Sequence, residues 1–440
     1  MKTVYDILPV WAQSTAVSLF SIRNTRLKYG QVFHDTMDQL ANNERLPFPQ
    51  LQESQQDALR RMLEYAREHV AYYRQLDCPA DDLSAWPIID KRTVKTHIGQ
   101  FISDEFNPSD LLTLHTSGTT GSPFEVKVDR SYHQKEMAFR WRHKAWGGVP
   151  YLSRSAYLSG HPVVPADQKR PPFWRIDTVE KRLLCSSYHL SQKNLPYYIE
   201  AISHYRPQFI HGYPSSLYLL AQFMIQNSMT LPPLQAVFTA SETLLDFQRT
   251  TIEKAFSSKV FNWYGNTEMT CNIIQCSAGN LHYRTDYGVL ELLDDGTMVC
   301  TGLNNLAMPF IRYKVGDRAT WGVPDLCACG CQFPLIQTIE GRIEDYILTP
   351  DERLIGRLDH LFKDKTAVRE AQIVQDSIQE LRLRIVRNNS YCQTDEVAIL
   401  TEARRRLGSS IAIRFEYVDA IERTSNGKFR FVVSRINPTF

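Results

Sequence analysis

No stretch of this chain is apolar for long enough to cross a membrane, and neither sign of charge dominates it. The longest apolar tract near the start, Trp11 to Ile22, is broken by Gln13, Ser14 and Ser18. A spanning helix needs roughly 20 apolar residues, and the flanks do not read as a secretory leader. A buried or surface-lying helix is expected there instead. With 50 Lys and Arg against 48 Asp and Glu, the net charge is +2. Such a balance gives no general pull toward nucleic acid, so no nucleic-acid partner and no transmembrane segment are expected. Nine cysteines without a leader exclude a disulfide framework and point to the reducing cytoplasm. A Walker A loop is also missing, since no Gly-Lys-Ser/Thr closes any glycine-rich turn.

What is present begins with Leu114-His-Thr-Ser-Gly-Thr-Thr-Gly-Ser-Pro-Phe124. Thr116, Ser117, Thr119, Thr120 and Ser122 supply hydroxyls, while Gly118 and Gly121 let the backbone turn its N–H groups onto an anion. A loop of this kind suits the phosphates of a nucleotide, although Ser/Thr/Gly clusters also form plain turns.

With 440 residues the chain exceeds what one core normally serves, so more than one domain is expected. From Leu59, apolar residues at Met62, Leu63, Ala66, Val70 and Tyr73 follow helical spacing. Further on, apolar runs alternate with helical stretches: Phe209 to Pro214 before a helix at 216–227, Ala236 to Ala240 before a helix at 247–256, then Val260 to Tyr264. That alternation predicts an α/β fold with a largely parallel sheet and polar residues at its carboxyl edge. Beyond about Arg342 the texture changes. Segments around 372, 381–386 and 411–418 alternate like half-exposed strands, with a helix at 396–407. A compact α+β unit of about 100 residues accounts for this.

Several short motifs carry chemistry. Tyr264-Gly-Asn-Thr-Glu268 follows a predicted strand, and a glutamate there is able to hold Mg²⁺. The same pentapeptide also reads as a strand–turn–helix junction capped by Asn266 or Thr267. Arg312-Tyr-Lys-Val-Gly-Asp317 offers a carboxylate for a ribose diol, or a charged turn. Glu340-Gly-Arg-Ile-Glu-Asp345 is a hinge or a turn, and Ser425-Asn-Gly-Lys428 sets one lysine on a tight turn. Cys276 with His282, and Cys327-Ala-Cys329-Gly, form two short-range pairs suited to a closed tetrahedral Zn²⁺ site of structural type, in which Cys271 or Cys331 is able to replace a ligand.

In this order the motifs resemble the adenylate-forming superfamily of acyl-CoA synthetases, adenylation domains and luciferases. Within it the chain is similar to the phenylacetate–CoA ligase branch, which includes capsular polysaccharide biosynthesis proteins. Thr239-Ala-Ser-Glu242 and the cysteine-rich insertion carry that likeness. The resemblance implies a large multi-sheet N-terminal adenylation domain (residues 1–341) and a small mobile α+β C-terminal domain (342–440). It implies that Thr116, Ser117, Gly118, Thr119, Thr120 and Gly121 wrap ATP phosphates, that Ala240, Ser241 and Glu242 border the adenine and that Tyr264 stacks nearby. Thr267 would contact the α-phosphate, Glu268 would hold Mg²⁺ and Asp317 would bind the ribose with Arg342 close by. Lys428 would be the catalytic lysine, since positive charge is needed where negative charge develops. The elements around Cys276, His282, Cys327 and Cys329 recur in that branch, where they look like a structural zinc site. Ser122 stands where many relatives carry lysine, and Leu348 to Ile355 replaces a glycine-rich stretch, which puts the usual thiol tunnel in doubt.

The expected activity is an ATP/Mg²⁺-dependent ligase that makes an acyl-adenylate with pyrophosphate release and hands the acyl group to CoA or to a polysaccharide or other small-molecule acceptor. Nucleotidyl transfer that leaves AMP on the acceptor is the alternative, as is an ATP-binding scaffold in polysaccharide assembly. The acid is expected between Phe209–Ser215, Ala236–Ser241 and Trp263–Thr267. Arg140, Arg142 and His143 read as solvated helix surface, and homodimerisation stays open.

Overall fold

The computed structural model describes residues 4–115, 125–165, 167–323, 327–340, 346–356, 358–362, 365, 367–422 and 431–436. A hairpin of β1 (Leu112–His115) and β2 (Glu125–Val128) flanks the phosphate-loop candidate. Then come β3 (Ser155–Ser159), β4 (Trp174–Asp177), β5 (Arg182–Ser186), β6 (Phe209–Gly212), β7 (Ala236–Ala240) and β8 (Val260–Gly265). They are followed by β9 (Asn272–Gln275), β10 (Leu281–Tyr283), β11 (Gly288–Leu292), β12 (Thr297–Gly302), β13 (Tyr313–Trp321) and β14 (Leu335–Glu340). From β3 to β14 these strands form one sheet in the order β11-β12-β13-β14-β10-β9-β8-β7-β6-β3-β5-β4.

The expectation of a largely parallel sheet is corrected. Only the β5–β3, β3–β6, β6–β7 and β7–β8 ladders are parallel. The remainder are antiparallel. The cause is the length of the connections. A parallel pair needs a crossover of a dozen or more residues, supplied by the helices Leu195–Tyr205, Pro214–Gln226 and Asp246–Phe256. After Gly265 no helix intervenes between the strands of this sheet among the described residues, and they pair antiparallel.

Apolar periodicity sets the helices as expected, with earlier starts. The helix expected from Leu59 starts earlier, spanning Phe48–His69, with Pro49 near its first turn, and buries Leu51, Met62, Leu63 and Ala66. Two core clusters lie on the two faces of the parallel strands. One holds Phe209, Phe238 and Phe261 under the helix Arg130–Trp146; the other packs Ile210, Val237 and Val260 against the crossover helices. Alternation along buried strands produces this split.

Beyond Glu340 a separate core begins. β15 (Ile347–Leu348) pairs with β16 (Leu354–Ile355), and β17 (Val368–Ser377), β18 (Glu380–Arg387), β19 (Ala412–Tyr417) and β20 (Val432–Ser434) make a sheet in the order β19-β18-β17-β20. The helix Gln393–Leu407 buries Ile399, Ala403 and Leu407 in the same cluster as Ile373, Leu383 and Phe431. Tyr188 from the first unit joins that cluster. Arg353 donates from Nη1 to the Tyr188 carbonyl at 2.7 Å, and Arg406 donates to its hydroxyl, so two buried guanidinium groups grip one tyrosine.

Candidate functional site

The carboxyl ends of β6, β7 and β8 bring the predicted residues together. β7 ends in Ala240, after which Ser241 takes a left-handed backbone, φ +71°. A non-glycine residue there costs about 1 kcal/mol or more and is held by its surroundings. The turn sends Glu242 back toward the helix Pro214–Gln226. Its carboxylate accepts from the Ser215 backbone N–H (3.1 Å), from Ser215 Oγ (3.2 Å) and from Tyr346 Oη (3.1 Å). An acid at the positive end of a helix is electrostatically favourable. Glu242 therefore ties the sheet edge to the first residues of the C-terminal unit. A small cleft opens beside it, lined by Ser187, Tyr213, Ser215, Tyr346 and Gly356 among others.

Tyr264 closes β8. Its hydroxyl donates to Asp317 Oδ2 at 2.8 Å, and Tyr313 Oη donates to Glu268 Oε1 at 2.8 Å. Tyr313 and Asp317 lie four residues apart on β13 and therefore share one face. β8 and β13 are not neighbours in the sheet order. These contacts bridge them because the sheet curls and brings its antiparallel half over the end of β8. Burial, and then the Asp317 charge, push the Tyr264 hydroxyl well above its ordinary range, so it stays a donor.

The strand–turn–helix reading of this motif is corrected. Asn266 accepts from the Thr270 backbone N–H at 3.0 Å and holds a turn between the antiparallel β8 and β9, with Met269 left-handed at φ +58°. Thr267 and Glu268 lie half-buried on that turn.

Thr116, Ser117, Gly118, Thr119, Thr120, Gly121 and Ser122, together with Arg342 and Lys428, lie outside the described residues.

The helix Arg130–Trp146 roofs the apolar face beneath. Its side chains overturn the expectation of a solvated surface: Arg142, His143 and Lys144 are all buried, while Arg140 keeps a partly exposed side chain. Arg142 donates to Asp286 through Nη1 (2.6 Å) and Nη2 (3.2 Å). Arg140 Nε donates to Glu136 at 2.9 Å. Lys144 is different. Its ammonium reaches the Arg140 carbonyl at 3.3 Å and lies 5.4 Å from the Phe238 ring centre, and no carboxylate among the described residues pairs with it. Burial, helped by Arg140, lowers its pKa to about 7. On β6, Nδ1 of His211 is buried without a partner among the described residues, and its ring packs 5.0 Å from that of Tyr157. Burial keeps His211 and His143 neutral.

A second cluster lies where β9, β10 and the loop after β13 meet. The ligand atoms of Cys276, His282, Cys327 and Cys329 all fall within 4.8 Å of one another. Cys276 Sγ lies 3.6 Å from Cys327 Sγ, and Cys329 Sγ 3.4 Å from His282 Nε2. Those spacings are far from a disulfide and near the roughly 3.5–3.8 Å edges of a tetrahedron with Zn–S bonds of about 2.3 Å. His282 turns its Nδ1 to the Phe333 carbonyl (2.8 Å), which orients Nε2 inward, and burial lowers its pKa to about 4, keeping the imidazole neutral. Asn280 Nδ2 donates to Cys327 Sγ at 3.2 Å. The two substitute ligands are set aside: Cys331 faces the Arg284 guanidinium and packs with Leu51 and Phe333, and Cys271 is enclosed in the core of the antiparallel half.

Sequence reasoning did not single out Tyr313, Ser215, Tyr346 or Asn280. Only Tyr313 had a signal, its even spacing from Asp317 on a strand.

Comparison with known proteins places this geometry. Residues 347–435 match the family model described as the CapK C-terminal domain. Protein CapK of Staphylococcus aureus is 24% identical over 459 residues, covering 99% of this chain and 100% of that protein. The phenylacetate-coenzyme A ligase of Thermus thermophilus is 23% identical over 354 residues, 69% of this chain and 73% of that one. Among solved structures, 2-hydroxyisobutyryl-CoA ligase in complex with 2-HIB-AMP and CoA superimposes with a TM-score of 0.56 at 18% identity, over 90% of this chain and 92% of that one. An open conformation of the same ligase gives a TM-score of 0.54. The chain is therefore similar to CapK over nearly its whole length and to a phenylacetate-coenzyme A ligase over 69% of it, and it shares the fold of the 2-hydroxyisobutyryl-CoA ligase.

Proposed function

We propose that the protein is an ATP- and Mg²⁺-dependent ligase that activates a carboxylic acid as an acyl-adenylate and passes the acyl group to an acceptor. The observation that carries this reading is the pair of tyrosine–carboxylate contacts, Tyr264–Asp317 and Tyr313–Glu268, at the carboxyl end of β8. They leave one oxygen of Asp317 for a ribose diol and hold Glu268 in a fixed direction. Such preorganisation is what a nucleotide site requires.

In the first half-reaction a carboxylate oxygen attacks the α-phosphorus and pyrophosphate leaves with its electron pair. Thr267 would donate to the α-phosphate, and Ala240 with Ser241 would border the adenine. Lys428 would balance the charge that develops at the α-phosphate. Glu268 would be the protein ligand of Mg²⁺, which supplies charge neutralisation at the phosphates. In the second half-reaction a nucleophile on the acceptor attacks the acyl carbonyl and AMP leaves. CoA, named in the bound state of the structural neighbour, is the first acceptor to try.

The acid would enter between β6, β7 and β8 beneath the helix Arg130–Trp146. Lys144 and His211 favour an acid whose tail carries hydroxyl or carboxylate oxygens, because a bare aryl ring would leave the Lys144 ammonium with only a carbonyl for a partner among the described residues and His211 Nδ1 with none. The test is pyrophosphate release across a panel of plain and oxygenated acids, with Asp317→Ala, Glu268→Gln and Lys428→Ala as variants. Release that is no different in Lys428→Ala would sink the ligase reading. Mass spectrometry of products separates ligation (free AMP) from nucleotidyl transfer (AMP on the acceptor).

Cys276, His282, Cys327 and Cys329 would hold Zn²⁺ with no open position, a structural role. Metal analysis should find about one zinc per chain, lost in Cys327→Ser together with thermal stability. A metal-free protein of unchanged stability would remove this assignment.

A further inference from the structure

Register lines up Tyr157, His211, Phe238 and Phe261 across β3, β6, β7 and β8, so their side chains form one row on one face of the sheet. The helix Arg130–Trp146 lies over that face. Phe238 and Phe261 are buried, as the middle of a covered sheet should be. Tyr157 and His211 are only half-buried, so water reaches their end of the row. His161, exposed just past the carboxyl end of β3, is among the groups whose charge acts on His211, which places the opening at that edge.

Three nitrogens gather at this row with their bonding needs unmet. Lys144 is 8% exposed, and its ammonium stands 5.4 Å from the Phe238 ring centre with only the Arg140 carbonyl, at 3.3 Å, as an acceptor among the described residues. The His143 ring lies 5.1 Å from the same phenyl ring, and its Nε2 is buried without a partner among the described residues. Nδ1 of His211, on the strand beside Phe238, is in the same state. Lys144 is the charge that acts most strongly on both histidines.

The carboxylates nearby are committed elsewhere. Glu136 accepts from Arg140 Nε and from Tyr287 Oη, both at 2.9 Å, and Asp286 holds Arg142. Arg140 adds a second positive charge one helical turn from Lys144. An ammonium kept among aromatic rings without a counter-ion costs free energy, and an anion placed against it removes that cost. A hydroxyl would satisfy the hydrogen bond and leave the charge unmatched.

We propose that the acid taken by this site carries a second anionic group, a carboxylate or a phosphate, at its far end, and that Lys144 binds this group while His143 and His211 hydrogen-bond to it. The inference rests on the ligase reading above, with the reacting carboxylate at the carboxyl edge of the sheet. Phe238 lies two residues before the end of β7 at Ala240, so at ~3.3 Å per residue the second anion sits about 7 Å below that edge. A phenylene-methylene spacer or a six-carbon chain spans this distance. Lys144 is thereby the residue that selects dianionic over monoanionic acids.

The probes are 4-carboxyphenylacetate and 4-phosphonophenylacetate against phenylacetate, the first two separating a carboxylate from a phosphate-like group. Pyrophosphate release should favour a dianion in kcat/KM, and Lys144→Met should lower the ratio of dianion to phenylacetate about 10–100-fold, the worth of a hydrogen bond to a charged group. His211→Leu should move the ratio in the same direction. Titration calorimetry without ATP gives a reading independent of turnover. With a pKa of about 7 beside Arg140, His143 and His211, Lys144 is mostly unprotonated at pH 8. Binding of 4-carboxyphenylacetate should then take up about one proton per chain, counted in buffers of different ionisation enthalpy. The uptake should vanish in Lys144→Met, which removes an unmatched charge and so retains the fold. A ratio that Lys144→Met leaves unaltered, or a dianion that fails to bind or binds without proton uptake, overturns the proposal, while release from any acid still upholds the ligase. Proton-coupled binding of the dianion with no release from any acid does the reverse.

Discussion

The helices Val10–Lys28 and Arg130–Trp146 both depart from simple amphipathicity, in opposite directions. The first turns polar residues inward because it lies on a sheet edge whose N–H groups need acceptors. The second lies flat across the aromatic face of β6, β7 and β8, yet draws Arg142, His143 and Lys144 inside. Its charges are tolerated because Asp286 meets Arg142 and because rings line the rest. The difference teaches that the neighbour decides which face is buried. A polar edge recruits hydroxyls, and an aromatic face takes in ionisable groups whose cost is met by pairs or by rings.

The largest effect expected on this comparison comes from Asp286→Ala. Arg142 and Arg284 would be left buried together, and about 3–5 kcal/mol of stability should be lost, as read by denaturant unfolding. Burial alone would raise the Asp286 pKa, but the two guanidinium groups overcome it and bring the value down to about 2. Stability from this group is therefore present above the unfolded value of about 3.8 and fades as pH falls toward 2. An unchanged unfolding curve would show that this helix does not depend on its ion pairs.

Lys144→Met should act in the other direction, raising stability by about 1–3 kcal/mol at neutral pH through removal of an unmatched polar group. Between about pH 7 and 10.5 the unfolded chain holds the lysine proton and the folded chain releases it. The unmodified protein should therefore gain stability as pH rises through that window, and Lys144→Met should lack the gain. Equal slopes in the two proteins would place the charge elsewhere.

Gln13→Ala should cost about 1–1.5 kcal/mol, because Arg175 keeps its other acceptors at the Pro172 and Trp174 carbonyls and at Gln168. Ser14→Ala and Ser18→Ala should each cost about 0.5–1 kcal/mol, and faster hydrogen exchange at Ile176 and Thr178 would report the uncovered edge. A loss as large as that of Asp286→Ala would erase the distinction between the two helices.

Much of this was readable in advance from particular residues. The run Ala236-Val-Phe-Thr-Ala240 forms β7 over those residues, and Val260 to Tyr264 forms β8 with one residue more. The spacings offered the two pairs, Cys276 with His282 and Cys327 with Cys329, that the structure brings within 4.8 Å of one another, and left Cys271 and Cys331 open as substitutes. The direction of Arg142, by contrast, was not readable: a guanidinium reads as surface until Asp286, far along the chain, is brought against it. Likewise, no periodicity signals that Asp317 and Tyr264 touch across a curled sheet.

By itself, then, the sequence determined the elements and their α/β order, because these depend on local periodicity and turn chemistry. The tertiary structure alone decided which strands run antiparallel, which cysteine is left out of the tetrad, and which side of Val10–Lys28 faces outward. Those outcomes depend on partners distant in sequence, whose burial, charge and hydrogen-bond needs exist only once the sheet has formed.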